Sequence, residues 1–503
     1  MLDIEWTTEE PALAAGQLLV VPLRDDHDPE EIGQRFGPAV RDGVKRSPFT
    51  GKPGDTFSFT RLVGDAMQHV TLIGVPALDG PTPLRKLGHD AAREAQRVGA
   101  TALVLDLHGS EGLPATEDDA VRVGSAVAQG LELGTYAYER FLSEANRRPS
   151  TLTSVHAWGR SAAPADGSAR GQIIAAAIAR ARDLGNGPPA LVTPSFLAQT
   201  AEQIVTALET EGHDVELTVL DEAQCRERGM GCFLAVGQGS DEPSKFIHLS
   251  YRPKSAGEGD DAPTRVVLIG KGVTFDSGGY SLKPTDGMLD MKMDMCGSAA
   301  VIASFEGAVR LGIGHELHVL VAAAENLVSG NAYKLGDVLT ASNGKTVEIN
   351  NTDAEGRLTM ADAMVYGSKL EPAFMIDFAT LTGACIVALG PKIAGVMTRD
   401  EPLYSSWTAA AERSGETMWR LPLPEDLKEQ LKSKIADMRN TGERWGGALT
   451  AGLFLSEFTE GVRWMHVDIA GPSMASKAYG VTTPGASGFA VATILELLDG
   501  PVG

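Results

Sequence analysis

The sequence reads as an α/β protein in two parts. A smaller N-terminal α/β domain covers residues 1–165, and a larger C-terminal α/β domain with a mostly parallel central sheet covers residues 166–503. Three observations predict this. At 503 residues the chain exceeds what one ordinary core fills. Short apolar runs without polar alternation recur along it, the pattern of strands covered on both faces. Helical stretches fall between those runs, as a parallel sheet requires of its crossovers.

In the first part, "GQLLVVPL" (16–23), "HVTLIGV" (69–75) and "TALVLDL" (101–107) read as buried strands, and "EDDAVRVGSAVAQGLELGTYAYERFL" (117–142) reads as a helix. None of these carries a cluster of His, Asp or Glu. The polar segment "SEANRRPSTLTS" (143–154) has no helical period and reads as the interdomain region. His156 stands alone nearby, and a lone histidine is more often packed than ligating. In the second part, "TRVVLIG" (264–270), "ELHVLVAAA" (316–324), "AFMIDFA" (373–379) and "WMHVDIA" (464–470) read as parallel strands, with "SAAVIASFEGAVRLG" (298–312) a helix among them.

Composition narrows the function. The chain is 43% hydrophobic and 22% charged, with a net charge of −22. That charge argues against a protein whose main task is to hold nucleic acid or an anionic membrane. No apolar run is long enough to span a bilayer. The opening "MLDIEWTTEEPALAAG" lacks the basic and apolar regions of a secretory signal. Cys225, Cys232, Cys296 and Cys385 form no CxxC pair, which argues against a zinc knuckle or a disulfide framework. Together these features predict a cytoplasmic protein.

Two segments carry the chemistry. After the run "TRVVLIG" comes "KGVTFDSGGYSLKPTDGMLDMKMDMCGSAA" (271–300). Lys271 leaves the strand end, Asp276 sits in a glycine-flanked turn, Lys283 follows, and Asp294 precedes a helix. Each has a plain structural reading: surface lysines, a helix-start carboxylate favoured by the dipole, a methionine-lined core edge. The location decides more, because open α/β sheets bind ligands beyond the carboxyl ends of their strands. The second segment is "NTDAEGRL" (351–358), which follows the alternating run "GKTVEINN" (344–351). A solvated turn is its simplest reading. If the extended conformation continues, Asp353, Glu355 and Arg357 point to one side. Four carboxylates (Asp276, Asp294, Asp353, Glu355) in one cleft would repel strongly unless cations neutralised them. Two divalent ions answer that need. Ligation by oxygen, without histidine or thiolate, suits Mn²⁺ or Mg²⁺, and Zn²⁺ also accepts carboxylates.

These segments resemble the leucyl aminopeptidase (cytosol aminopeptidase) family, whose signature is similar to "NTDAEGRL" along its whole length. The resemblance extends in matching order through "KGVTFDSGGYSLKP", "MKMDM", "DFATLTGAC" (377–385), "GGALTAGLFLSEF" (446–458), "HVDIAG" (466–471) and "PGASGF" (484–489). It covers most of residues 170–503; the N-terminal part is similar only in size and strand pattern. The resemblance implies that the C-terminal domain is catalytic. Two ions would be bridged by Asp276 and Glu355, with Asp353 completing one site and Lys271 with Asp294 the other. Lys283 and Arg357 would be the catalytic side chains, Arg357 holding a bicarbonate. Met291, Asn351, Thr380, Leu381 and Gly383 would contact substrate, with Met291 and Thr380 suggesting an apolar pocket. The implied function is a metal-dependent aminopeptidase that releases leucine or other apolar residues from peptides with a free N-terminus. Mn²⁺ is the first expected metal and Zn²⁺ the second, and the implied assembly is a homohexamer.

Two departures stand out. Cys296 occupies a position where the family more often has glycine, and reads as a small packing residue. "NGPPALVTP" (186–194) lacks a second asparagine that many relatives carry. A two-metal phosphoesterase is the alternative enzyme, since paired ions serve displacement at phosphorus equally well. The absence of histidine from the cluster argues against it. DNA binding, a secondary role of some family members, is the non-enzymatic alternative, and the net charge argues against that.

Overall fold

Two sheets, each with its own helices and core, organise the chain. The computed structural model describes residues 1–11, 16–63, 66–110, 113, 116–254 and 263–500. Residues 12–15 of the acidic opening stretch lie outside the described residues. The chain divides into one compact unit of Met1–Ala176 with Tyr479–Val481, and a second of Ala177–Ala478 with Thr482–Gly503.

The first unit holds six strands: β1 (Asp3–Thr7), β2 (Gln17–Leu23), β3 (Thr56–Val63), β4 (Ala66–Gly74), β5 (Ala102–Asp106) and β6 (Ser154–Trp158). Their order is β1-β6-β5-β2-β4-β3, parallel except for the β3–β4 pair. Leu18, Val20, Leu103 and Leu105 face an apolar core closed by the helices Pro81–Val98 and Glu117–Thr135. Two expectations are corrected here. The second of these helices stops at Thr135 and not at 142: Gly134, Thr135 and Tyr136 are poor helix formers, and Tyr136 is already extended. The polar segment 143–154 lies within this unit, with a 3₁₀ turn at Glu144–Asn146 and its last residue already in β6, and is not a link between units. The chain returns from it into β6, which pairs with both β1 and β5.

In the second unit, β7 (Asp214–Leu220), β8 (Lys245–Arg252), β9 (Arg265–Asp276), β10 (Glu316–Asn326), β13 (Phe374–Ala379), β14 (Ala394–Thr398), β15 (Met418–Arg420) and β17 (Trp464–Asp468) form one sheet. Its order is β15-β14-β17-β13-β9-β10-β8-β7, and the central four strands, β17-β13-β9-β10, are parallel throughout. A small separate sheet joins β11 (Val338–Thr340), β12 (Thr346–Glu348) and β16 (Met438–Arg439). The apolar runs read from sequence are the central strands because each is buried on both faces. The crossover from β9 to β10 is the helix Cys296–Leu311. It is packed almost all round and closed by Gly312 in the left-handed region, φ 67°. Among the described residues no helix is long and apolar enough to cross a membrane.

The sheet changes direction where the site lies. From β9 the chain crosses to β10 on one side, while β13 lies on the other and leads on to β17. The β13 pairing ends at Phe378 opposite Gly270, whereas β9 runs on beside β10 to Asp276 opposite Asn326. A crevice therefore opens at the carboxyl ends of β9 and β13.

Candidate active site

Lys271 is inside β9 and not at its end, because the strand continues to Asp276. Its side chain emerges where the pairing of β9 with β13 has stopped. The ammonium donates to Asp294 Oδ1 at 2.6 Å and to the carbonyl of Thr380 at 3.1 Å, and it pairs with Glu355 Oε1 at 2.9 Å. Asp294 arrives on the short 3₁₀ turn Met291–Met295, and its Oδ1 also accepts the Thr380 hydroxyl at 2.8 Å. Asp276, the last residue of β9, has its Oδ1 occupied by Asn326 Nδ2 at 2.7 Å and by the Gly278 N–H at 2.8 Å. Its Oδ2 faces Lys283 Nζ at 2.7 Å, and Lys283 also pairs with Asp353.

The "NTDAEGRL" segment reaches the site by a route that strand alternation does not predict. Beyond Glu348 it leaves β12, turns at Thr352 and Asp353, and begins a helix, Gly356–Ser368, with Glu355 already in helical conformation. The reason is local: Asn351 Oδ1 accepts the Asp353 N–H at 2.9 Å, and Thr352 is held by Ser281 and Gly278. The turn still brings Asp353 and Glu355 together. Oxygens of Asp276, Asp353 and Glu355 lie within 4.8 Å of one another. Asp294 is outside that group of three and joins it through Lys271. Gly356 explains part of the motif: a Cβ there would stand 2.4 Å from Lys271 Cε and 2.7 Å from its Nζ.

Other candidate residues are distributed unevenly. Thr380 belongs to the cluster through both its oxygens. Arg357 is buried apart from the ammonium groups, with Nη1 on the carbonyl of Asn440 at 2.8 Å and Nε without a hydrogen-bond partner. Met291 is half-buried at the start of the Asp294 turn. Leu381 donates its N–H to Asp468 Oδ1 at 3.2 Å, and Gly383 is exposed at the start of helix Gly383–Leu389. Cys296 is buried against Gly185, whose added Cβ would meet its sulfur at 3.0 Å. Burial pushes its thiol up to about 12, so it packs as a neutral group. Asn186, of the departing loop, receives Lys292 on its carbonyl at 3.0 Å and the Ala486 N–H on its side chain at 2.9 Å.

Electrostatics follow from burial and charge balance. Burial pushes the Asp276 carboxyl up to about 6, helped by the Glu355 charge and opposed by both lysines. Asp294 is raised by burial, and Asp353 less so. For Glu355 burial is outweighed by Lys271 and Lys283, which hold it down. Burial would also neutralise both lysines, yet the surrounding carboxylates keep each above the ordinary ammonium range. Four carboxylates face two ammonium groups, so the cluster retains excess negative charge. Asp294 Oδ2 and Glu355 Oε2 are buried with no hydrogen-bond partner. Orphaned, acceptor-only oxygens in a net-negative pocket fit divalent cations. The cluster opens on one side: the Lys271 side chain is 4% exposed, against 16% for Lys283 and 34% for Asp353.

Sequence reasoning missed several residues that shape this site. Asn326 ends the central strand β10 and orients Asp276; the strand-end rule could have found it. Asp468 lies inside the quoted "HVDIAG" and takes the Leu381 N–H and the Thr382 hydroxyl, at 3.2 and 2.7 Å. Tyr333 and Asn440 carry no local signal.

Sequence comparison then supplies the family. The profile described as "Cytosol aminopeptidase family, catalytic domain" matches residues 179–495, and "Cytosol aminopeptidase family, N-terminal domain" matches residues 20–145. The chain belongs to the cytosol aminopeptidase family. It is similar to a probable cytosol aminopeptidase of Synechococcus sp. (strain WH7803), 42% identical over 98% of each chain. A probable cytosol aminopeptidase of Acaryochloris marina is 43% identical over 93% of each. Among solved structures, a mutant of tomato leucine aminopeptidase superposes with a TM-score of 0.89 at 34% identity, covering 99% of this chain and 96% of its own. The bottromycin maturation enzyme BotP in complex with Mn superposes with a TM-score of 0.84 at 33% identity, covering 97% and 99%. The sequence-based recognition and the α/β fold class are borne out. As a cytosol aminopeptidase the chain is a metal-dependent hydrolase that acts at peptide N-termini.

Proposed function

We propose that this cytosol aminopeptidase removes leucine and other apolar residues from peptides, using two divalent cations held by Lys271, Asp276, Asp294, Asp353 and Glu355. The observation that carries this reading is the cluster itself. Three carboxylates have oxygens within 4.8 Å of one another, a fourth joins through Lys271, and buried oxygens are left over. The family resemblance implies that Asp276 and Glu355 would be shared by both cations; in the cluster Glu355 is paired with Lys271 and Asp276 with Lys283. Mn²⁺ suits this carboxylate-rich set first and Zn²⁺ second; the Mn complex of BotP supports the same choice. When bound, the two cations supply Lewis acidity, a water of lowered pKa and a seat for the substrate's free amine.

The chain's own groups divide the remaining work. Lys283, at the open side, presents an ammonium that offsets negative charge developing on the scissile carbonyl oxygen. Lys271 is an ammonium among carboxylates alone, and only its neutral form, which a neighbouring cation would favour, could serve as a ligand. Arg357 keeps a buried, unpartnered Nε, and burial pulls its guanidinium down to about 10 against the Glu355 and Asp468 charges. A small anion such as bicarbonate would satisfy that donor and take the proton of the attacking water. Thr380, Leu381 and Gly383 line the loop after β13, and with Met291 and Asn351 they contact the N-terminal residue of the substrate. The family resemblance implies a homohexamer, and the family supports a cytoplasmic location.

The test is Leu-Gly-Gly beside its N-acetylated form, with leucine, phenylalanine, glutamate and lysine amides for specificity. The free peptide is expected to lose leucine while the blocked one stays intact. Equal turnover of the blocked peptide would overturn the amine-binding arrangement, and a preference for the charged amides would overturn the apolar assignment. Light scattering checks the hexamer.

A further inference from the structure

We infer that Asn440 is a positioning residue of the reaction: it holds the 350–357 segment in the shape that delivers Asp353, Glu355 and Arg357 to the site. The inference rests on the metal-site reading above.

A buried segment that leaves its sheet must find partners for its peptide groups elsewhere. Ile349, just beyond β12, still bonds main chain, at Gly336 and Asp337; from Asn350 to the helix starting at Gly356, side chains take over. The Thr352 N–H donates to Ser281 Oγ at 3.1 Å. The Thr352 carbonyl accepts Asn326 Nδ2 at 3.0 Å and the Tyr333 hydroxyl at 2.8 Å. The Asp353 N–H goes to Asn351. Four further groups converge on the Asn440 side chain. Its Oδ1 accepts the N–H of Asn350 at 3.0 Å and of Asn351 at 3.4 Å. Its Nδ2 donates to the carbonyl of Asn351 at 2.6 Å and of Ala354 at 3.4 Å. The contacts at 2.6 and 3.0 Å carry the clamp, since those at 3.4 Å are near the limit of a hydrogen bond.

The main chain of Asn440 completes the arrangement. Its N–H donates to the Glu348 carbonyl at 3.1 Å, extending the β12–β16 pairing, and its own carbonyl accepts Arg357 Nη1 at 2.8 Å. Asn440 is fully buried. One residue thus fixes the turn bearing two proposed ligands and the guanidinium beside them, while touching neither carboxylate. The residue type follows: the clamp needs a donor and an acceptor on one short, planar group. Aspartate has the shape without the donor, and would set a charged oxygen against two carbonyls.

The experiment uses the full-length protein with Asn440→Asp, Asn440→Ala and a control, Ile494→Ala, which opens a cavity in the buried helix Val491–Leu498. Mn²⁺ affinity is measured by competition with a chelator, and kcat and KM on leucine anilide at saturating Mn²⁺. Both Asn440 variants are expected to bind Mn²⁺ about 10–100-fold more weakly, the scale for losing a group that orients metal ligands. The control should bind as the parent does even if it melts earlier. Asn440 variants that bind within about twofold of the parent overturn the inference, and so does a control that loses affinity in step with its stability. If Asn440→Ala does not fold, the isosteric Asn440→Asp carries the test alone. A parent that binds no Mn²⁺ overturns the metal-site reading and this inference with it; a parent that binds, beside variants that bind equally, overturns the inference only.

Discussion

Lys271 and Lys283 are twelve positions apart and both salt-bridged to carboxylates, yet their surroundings give them different work. Lys271 is sealed under Gly356 between Asp294 and Glu355, whereas Lys283 stands at the open side of the cluster. Lys271→Ala is therefore expected to weaken occupancy of one metal site, with partial rescue by excess Mn²⁺. Lys283→Ala should retain both ions, leave KM little changed and lower kcat by roughly 10²–10³-fold, the scale for one oxyanion donor. Elemental analysis beside steady-state kinetics separates the two; metal loss or near-normal kcat in Lys283→Ala would refute its catalytic assignment. Gly356→Ala sets a methyl group against the Lys271 side chain, which is buried and held by Asp294, Glu355 and Thr380. It should lower stability by about 1–3 kcal/mol, as overpacking does, and weaken metal binding too. An unchanged melting temperature and metal affinity would mean that the close approach is relieved elsewhere.

At the scale of elements, the pairing of β8 with β10 carries a polar chain unconnected with the proposed chemistry. His248 on β8 meets His318 on β10 at 2.9 Å and the Tyr366 hydroxyl at 3.2 Å; His318 reaches Glu316, which pairs with Arg265. Burial pulls His248 down to about 4, and the His318 ring adds to it. A histidine whose folded pKa lies below its unfolded value binds fewer protons when folded. Its contribution is then present above about pH 6.5 and is lost as pH falls toward 4. The loss should be of order 2 kcal/mol. Comparing melting temperatures of the parent and His248→Gln at pH 7 and pH 5 checks this. The parent should lose more between the two, and parallel losses would remove His248 as the cause. The strands themselves were legible as elements because β9, β10, β13 and β17 are apolar on both faces. The turn at 352–353 was not: a segment that alternates up to Asn351 gives no sign that Ser281, Asn326, Tyr333 and Asn440 will take its peptide groups away from a strand.

For the whole molecule, the excess of carboxylate over ammonium makes metal the expected control of activity. Chelation should abolish turnover, and Mn²⁺ should restore it at least as well as Zn²⁺. Full activity in protein that elemental analysis finds free of metal would refute the two-cation site. Replacing Asp276 or Glu355, the proposed bridges, should release both ions and not one. Metal removal should also lower the melting temperature, since a ligand bound only by the folded state stabilises it by mass action.

What the sequence by itself determined is the inventory: an α/β chain, the parallel central strands, the family, and the residue types that meet at the strand ends. These are legible because hydrophobic pattern and motif spacing are local. The structure alone decided how they meet. Lys271 lies within β9 and reaches the crevice because the pairing of β9 with β13 ends at Gly270. Asp294 stands outside the three-carboxylate group and is joined through an ammonium. The "NTDAEGRL" segment delivers its carboxylates by a turn. Each of these depends on groups far along the chain, above all on Asn440, nearly ninety positions from the turn it clamps. No local pattern encodes such a contact, because hydrogen bonding of buried peptide groups is settled only once distant segments have packed.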